Sequence, residues 1–256
     1  MPRAMAEERI WTAALLVIGD EILSGRTQDR NVAQVGTWLN LQGIRLAEVR
    51  IVPDRIEAIA EAVNALRSAN DYLFTTGGIG PTHDDISVDG IAAALGRDVI
   101  VHPQARAILE AFYADRGGIN EARLRMARVP DGAALIENNF SGAPGIHVEN
   151  IYILAGVPKI AAMMLESLVG KVEGGRPLLS ATLGGWIAES EVATLLAETE
   201  QAHPGTQIGS YPFFREGRAG ANFVIRSADP EMLSACAGVL RAGLEALGKQ
   251  VVEGGL

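Results

Sequence analysis

Residues 71 to 85 read Asp71-Tyr72-Leu73-Phe74-Thr75-Thr76-Gly77-Gly78-Ile79-Gly80-Pro81-Thr82-His83-Asp84-Asp85. The first five, rich in aromatic and apolar side chains, predict a strand, and nothing after Thr76 can continue one. The chain must therefore enter a loop at the strand's carboxyl end, where open α/β sheets place their ligands. Lacking Cβ atoms, Gly77, Gly78 and Gly80 let backbone amides turn into one concavity, an anion nest suited to phosphate or pyrophosphate. The loop is not a Walker A motif, since no Gly-Lys-Ser/Thr comes after it, and its spacing is wrong for the dinucleotide fingerprint. Read as structure alone it is a tight Gly-Pro turn; the paired carboxylates Asp84 and Asp85 favour the functional reading.

Upstream, the apolar run Ala13 to Ile18 predicts a strand buried on both faces, as in a parallel sheet. It ends at Gly19-Asp20-Glu21. Val32, Val35 and Leu39 then follow helical spacing, with Asn31 placed to cap the start and Gly43 to end the helix in the left-handed conformation. Ile44 to Val52 predicts a second strand, broken by Pro53-Asp54, and Ile56, Ile59, Ala60, Val63 and Leu66 mark another amphipathic helix. After the glycine loop, Ser87 is placed to cap a short helix ended by Gly96. Three strand-loop-helix units in a row argue for a doubly wound parallel sheet.

Downstream, helices are expected around Pro103 to Arg116 and Asn120 to Arg128, then irregular backbone over Asn138 to Gly145. Ile146 to Val148 and Ile151 to Leu154 predict a hairpin, and Pro158 opens a helix from Gly156-Val157-Pro158-Lys159. The stretch Gly170 to Pro177 is the best linker, so two units are expected: residues 1–172, a three-layer α/β/α domain with a mostly parallel sheet, and residues 173–256, a small α+β domain. The second should hold a strand at Leu178 to Leu183, a helix from Glu189 to Ala202, a hairpin around Glu216-Gly217, a helix begun by Pro230 and a last strand at Val251-Val252.

The composition, 48% hydrophobic and 21% charged, is that of a folded protein. With 22 basic against 31 acidic residues the formal charge is −9, which disfavours nucleic acid and anionic membranes as partners. A small phosphorylated ligand remains compatible, because local amides, a cation or a metal outweigh the mean field at one site. Cys236 is the only cysteine, which excludes an internal disulfide and a multi-thiolate zinc site within one chain and fits a reducing compartment. The first residues, Met1 to Arg9, carry no apolar leader core, and no apolar run reaches the ~20 residues of a membrane span, so a cytoplasmic location is expected.

Asp20-Glu21, Asp54 and Asp84-Asp85 each come after a strand, so a parallel sheet would bring all three loops to one edge. Carboxylates beside phosphates repel unless a hard cation joins them, which makes a divalent metal (Mg²⁺, Mn²⁺ or Co²⁺) the expected cofactor, with Asp20, Asp84 and Asp85 as its ligands and no covalent cofactor. Taken singly, Asp20 or Asp54 would equally serve as a helix cap. Of His83, His102, His147 and His203, which lack metal-ligand spacing, only His83 lies in the glycine loop. Lys159 reads as a solvated surface lysine, and Cys236 as a small buried hydrophobe.

The ordered set Gly19-Asp20-Glu21-Ile22-Leu23-Ser24-Gly25 with Asn31, Asp54, Gly77 to Asp85, Gly142-Ala143-Pro144-Gly145 and Gly156-Val157-Pro158 resembles the molybdopterin-binding family, and in particular the N-terminal module of competence/damage-inducible protein A (CinA). Gly209-Ser210-Tyr211-Pro212 looks like the CinA-type continuation into the small domain. The resemblance implies an α/β/α domain, homo-oligomeric, with its site over these loops. It implies that Asp54 and Asp85 are the essential carboxylates and that Gly19, Ser24, Asn31, Thr76, Gly77, Gly78, Gly80, Pro81, Ser141, Gly142, Pro144, Gly145, Gly156 and Pro158 surround the ligand. It leaves three functions open: a metal-dependent pyrophosphatase acting on an ADP-ribose-type nucleotide, a molybdopterin adenylyltransferase using MgATP, and a non-enzymatic molybdopterin or nucleotide binder. Two departures stand out. Ser87 replaces the usual threonine and keeps its hydroxyl, and Ala155 stands where many relatives have proline, which leans toward the CinA branch. The amidohydrolase domain of full-length CinA is not expected within these residues.

Overall fold

The computed structural model describes residues 9–215 and 217–256. Most of the stretch Met1 to Arg9, and Glu216 of the hairpin, lie outside the described residues. The chain forms two compact units, one ending at Gly175 and one running Arg176–Leu256.

In the first unit the elements are β1 (Trp11–Ile18), α1 (Asp20–Leu23), α2 (Asn31–Leu41), β2 (Ile44–Val52), α3 (Ile56–Ala69), β3 (Tyr72–Thr76), α4 (Ser87–Leu95), β4 (Val99–Val101), α5 (Pro103–Tyr113), α6 (Glu121–Arg125), β5 (Arg128–Pro130), β6 (Ala134–Ile136), β7 (Gly145–Val148), β8 (Ile151–Leu154) and α7 (Pro158–Ser167). Six strands form one sheet in the order β2-β1-β3-β8-β7-β6. β2, β1, β3 and β8 run parallel, while β7 runs against β8 and β6 against β7, so the doubly wound sheet is mixed at one side.

β1 shows why the sheet is the middle of three layers. Its alternate residues Ala14, Leu16 and Ile18 enter a core with Ile59, Val63 and Leu66 of α3 and Val88 and Ile91 of α4. Ala13, Leu15 and Val17 face the opposite way, toward Val35 and Leu39 of α2 and Ala161, Met164 and Leu165 of α7. A strand buried on both faces has no solvent face to mark with polar residues, hence its unbroken apolar run.

Two capping expectations fail, for one physical reason. Asn31 does not cap α2; Asp29 accepts from the Val32 amide at 2.8 Å, and the Asn31 amide instead donates across the fold to the Gly156 carbonyl, also at 2.8 Å. Ser87 does not cap α4; it is the helix's first residue, buried, and its hydroxyl donates to the Gly77 carbonyl at 2.8 Å. In each case a long-range backbone acceptor outcompetes the local helix terminus. The helix expected to Arg128 stops at Arg125, because Arg128 joins the antiparallel ribbon of β4 and β5. Gly43 and Gly96, at φ 71° and 63°, do follow their helices in the left-handed region.

The second unit contains β9 (Leu179–Gly185), a 3₁₀ turn at Glu189–Glu191, α8 (Ala193–Ala202), β10 (Gln207–Arg215), β11 (Arg218–Ser227), α9 (Pro230–Ala246) and β12 (Val252–Glu253). Its sheet order, β10-β11-β9-β12, is antiparallel throughout, the split βαβ arrangement. Leu183, Ala221, Phe223 and Ile225 pack on Cys236, Leu240 and Leu244 of α9. Asp229 caps that helix through the Glu231 and Met232 amides, with Pro230 at its first position. No helix among the described residues is long and apolar enough to cross a membrane.

Candidate functional site

At the carboxyl end of β3 the chain turns into the glycine loop through Gly77 and Gly78, at φ 100° and 64°. A Cβ at Gly77 would be driven into the Ile18 carbonyl oxygen, and one at Gly78 into the Ser87 hydroxyl. The loop is thus laid directly on the end of β1 and the start of α4. Ser87 secures it twice, by its hydroxyl on the Gly77 carbonyl and by its amide on the Gly78 carbonyl at 3.0 Å. From the other side Gly156 comes so close that its Cβ would lie 3.1 Å from the Gly77 Cα. Gly156 is itself held by Asn31, and Pro158 by the Gln34 amide, which donates to its carbonyl at 3.1 Å.

Above this floor opens a cavity of about 810 Å³. Its lining includes Gly77 to Pro81, Asp85, Glu21 and Thr27, with Ser141, Ala143 and the Ala155 to Pro158 turn. Tyr113, at the end of α5, and Asn120, Ala122, Arg123 and Met126, from α6 and its two caps, complete it with Ile160 and Met164. A side recess of about 70 Å³ reaches Thr76 and Asn31, whose buried Oγ1 and Oδ1 find no hydrogen-bond partner among the described residues. The 138–145 loop is ordered by Asn138, whose amide donates to the Ser141 hydroxyl and the Ala143 carbonyl at 2.6 and 2.7 Å. Gly142, at φ 75°, is required there because a Cβ would enter the Phe112 ring.

The carboxylates share an edge but not a common point. Asp54 accepts from the Asp20 amide at 2.8 Å, capping α1 from across the sheet. Burial pushes its carboxyl above the ordinary aspartate value; the Asp20 hydrogen bond opposes this, and the neighbouring charges of Asp20, Glu21 and Asp84 add to it. Asp84, fully exposed, is held below the ordinary value, first by the Thr82 hydroxyl, then by its own amide, with His83 and Arg125 contributing charge. Asp85 takes the Thr82 amide at 2.7 Å and also the Thr82 hydroxyl, and its carboxylate lies over Gly80. Arg125 clasps the same loop through the Thr82 and Asp85 carbonyls, at 3.1 and 3.3 Å.

Of the expected site residues, Gly77, Gly78, Gly80, Pro81, Asp85, Ser141, Gly156 and Pro158 line the main cavity. Thr76 and Asn31 line the recess, and Pro144 a small cleft beneath the loop. Gly19, Ser24, Gly142, Gly145, Asp20, Asp54 and Asp84 are not in the cavity wall. His83 is 98% exposed and points at Asp84 alone, 3.9 Å away. Among the described residues no three His, Cys, Asp or Glu side chains are grouped tightly enough to hold a metal ion by themselves. The expected set Asp20, Asp84 and Asp85 does not by itself form such a group. A metal fits this donor set only if ligand phosphate oxygens complete its shell, as Mg²⁺ commonly requires. Sequence reasoning missed Tyr113, Asn120, Arg123 and Met126. The signals available were Asn120 before Glu121, a good cap, and two arginines in one turn of an otherwise acidic chain.

Comparison with known proteins agrees with this fold. The family described as a probable molybdopterin binding domain matches residues 14–179, and the middle domain of FAD synthase matches residues 177–252. A protein of Aeropyrum pernix is 35% identical over 96% of this chain and 97% of its own, and one of Thermococcus kodakarensis is 34% identical over 73% and 80%. Among solved structures, the CinA protein of Thermoplasma acidophilum, itself described as of unknown function, superposes with a TM-score of 0.60 at 31% identity, over 63% of this chain and 98% of that one. The chain belongs to the molybdopterin-binding domain family, in its CinA-like branch, with a second unit similar to the FAD synthase middle domain.

Proposed function

We propose that the cavity binds a phosphorylated nucleotide with its phosphates on the Gly77 to Gly80 loop, and that the protein hydrolyses the pyrophosphate bond of an ADP-ribose-type substrate. The observation that carries this reading is the coincidence of a glycine floor, in which no side chain larger than hydrogen fits at Gly77 or Gly78, with two carboxylates, Glu21 and Asp85, in the same wall. The floor offers backbone amides to phosphate oxygens. Asp85 spends one oxygen on Thr82, which fixes the carboxylate, and its other oxygen carries no bond among the described residues. That oxygen is the chain's candidate to take a proton from water attacking phosphorus. Asp54, outside the wall, acts through the Asp20 amide and the charge of the edge. Asp84 and Asp85 are the carboxylates that would hold a divalent cation, which would polarise the phosphoryl group. The test is release of AMP from ADP-ribose with Mg²⁺, Mn²⁺ or Co²⁺; no turnover with any of them in folded protein overturns the hydrolase reading.

A second reading has its own support: Asp20, Asp54 and Asp84 stand outside the cavity wall, which suits a module that binds a pterin or nucleotide without transforming it. It predicts saturable binding with no AMP formed and no dependence on ATP.

A further inference from the structure

The cavity is much larger than phosphate groups on a glycine loop need, and one stretch of its lining has a chemistry of its own. Arg123 lays its guanidinium over the Tyr113 ring, 4.2 Å from the ring centre, and donates to the Gly118 carbonyl. Four other arginines of this unit meet carboxylates, Arg106 with Glu110, Arg128 with Asp89, and Arg97 and Arg67 with Glu149, while Arg116 lies over the Phe112 ring outside the cavity lining. Among the described residues no carboxylate pairs with Arg123. Met126 adds a thioether to the same wall. Asn120 stands at its edge with Oδ1 committed to the Arg123 amide at 2.8 Å, which leaves the Nδ2 donor with no acceptor among the described residues. A phenol ring, a flat cation and a polarisable sulfur each attract the face of a π-system, and a lone amide donor suits a ring nitrogen or carbonyl at its rim.

We infer that Tyr113, Arg123 and Met126, edged by Asn120, form the subsite for a flat heterocycle, purine or pterin, whose phosphate tail lies on the glycine loop. The inference rests on the proposed placement of phosphate on that loop. It assigns Arg123 a stacking role, not a charge on the phosphates.

The experiment is calorimetric titration of the full chain with ribose 5-phosphate, AMP and a pterin phosphate, for the wild type, Tyr113→Leu and Arg123→Lys. Leucine preserves the apolar contact of Tyr113 with the α5 core, and lysine preserves the charge of Arg123 while losing its plane. In the wild type at least one ring-bearing ligand should bind about tenfold or more tighter than ribose 5-phosphate, the ordinary gain from stacking one base. In both variants that gain should fall to about twofold or less, with ribose 5-phosphate affinity unchanged. Which ring keeps the larger gain separates a nucleotide from a pterin. A ring gain that survives both substitutions, or is missing in the wild type while ribose 5-phosphate binds, overturns the subsite alone. So does a loss of ribose 5-phosphate binding in Arg123→Lys, which would place the guanidinium on phosphate. If the wild type binds none of the three, the phosphate placement falls with it.

Discussion

The glycine loop and the carboxylate edge close the same end of the same sheet, and they respond to the fold in opposite ways. Gly77 and Gly78 are fixed by contact: each sits where a methyl group would overlap backbone or a buried hydroxyl, and each has a positive φ. Asp20, Asp54 and Asp84 are placed by charge and hydrogen bonding, and they lie outside the cavity wall, with Asp20 and Asp84 exposed and Asp54 partly buried. Steric requirements at a strand end are local and nearly all-or-none, so they survive translation from sequence to structure. The role of a carboxylate depends on which donor reaches it, and Asp54 and Asp85 have each been claimed by a backbone amide.

The sharpest way to break this contrast is Gly77→Ala. The added methyl meets the Ile18 carbonyl while the backbone is held at φ 100°. Strain at a non-glycine residue of that conformation together with the overlap should cost about 3 kcal/mol or more, read as a lower denaturant midpoint at unchanged slope. Phosphate-ligand binding should vanish even where the protein remains folded. A variant as stable as the wild type, binding ligand normally, would mean that the loop has a second conformation and that its sterics are not decisive.

Much of the first unit was legible for the same steric reasons. The apolar run at Ala13 to Ile18, the glycines after α2 and α4 and Pro158 at a helix start each act on their own neighbours, and the fold keeps them all. Asn31 and Ser87 were misread because a helix-start Asn or Ser has a local partner and a distant one, and only the fold brings Gly156 or Gly77 within reach. The reversal of β7 was hidden, since the hairpin around Glu149-Asn150 fixes β7 against β8 but says nothing of which joins β3. Tyr113 and Arg123 were hidden more deeply. The helical spacing of Tyr113 reports the small core under α5, and the approach of both residues to the glycine loop is purely tertiary.

Asp85 tests whether one residue belongs to both regions. Asp85→Asn keeps an oxygen for the Thr82 amide and hydroxyl, so stability should change by a few tenths of a kcal/mol, whereas Asp85→Ala loses both bonds to the exposed Thr82 and should cost about 1 kcal/mol. If the carboxylate takes a proton during pyrophosphate cleavage, AMP release should fall about 100-fold or more in both variants despite their different stabilities. Turnover retained in Asp85→Asn and lost only in Asp85→Ala would make Asp85 a holder of the loop and nothing else.

The smallest effect belongs to Asp54, and its sign distinguishes charge from capping. Burial and the nearby carboxylates raise the Asp54 carboxyl in the folded chain above its unfolded value, so the folded state holds the proton more tightly. The stability this contributes is fully present below the ordinary aspartate range, near pH 4, and is lost as pH rises through the raised folded value. Asp54→Asn cannot ionise, yet its amide oxygen can still accept from the Asp20 N–H. The wild type should therefore lose Tm relative to Asp54→Asn as pH is raised from about 4, with the difference levelling off once the carboxyl is ionised. The group is only partly buried, so screening should keep the difference below about 1 kcal/mol. Mg²⁺ adds the decisive arm: at neutral pH a cation seated at this edge would restore the wild type more than Asp54→Asn, because only the wild type carries the charge it relieves. Equal Mg²⁺ response in the two proteins would leave Asp54 as the cap of α1, with no part in holding a metal.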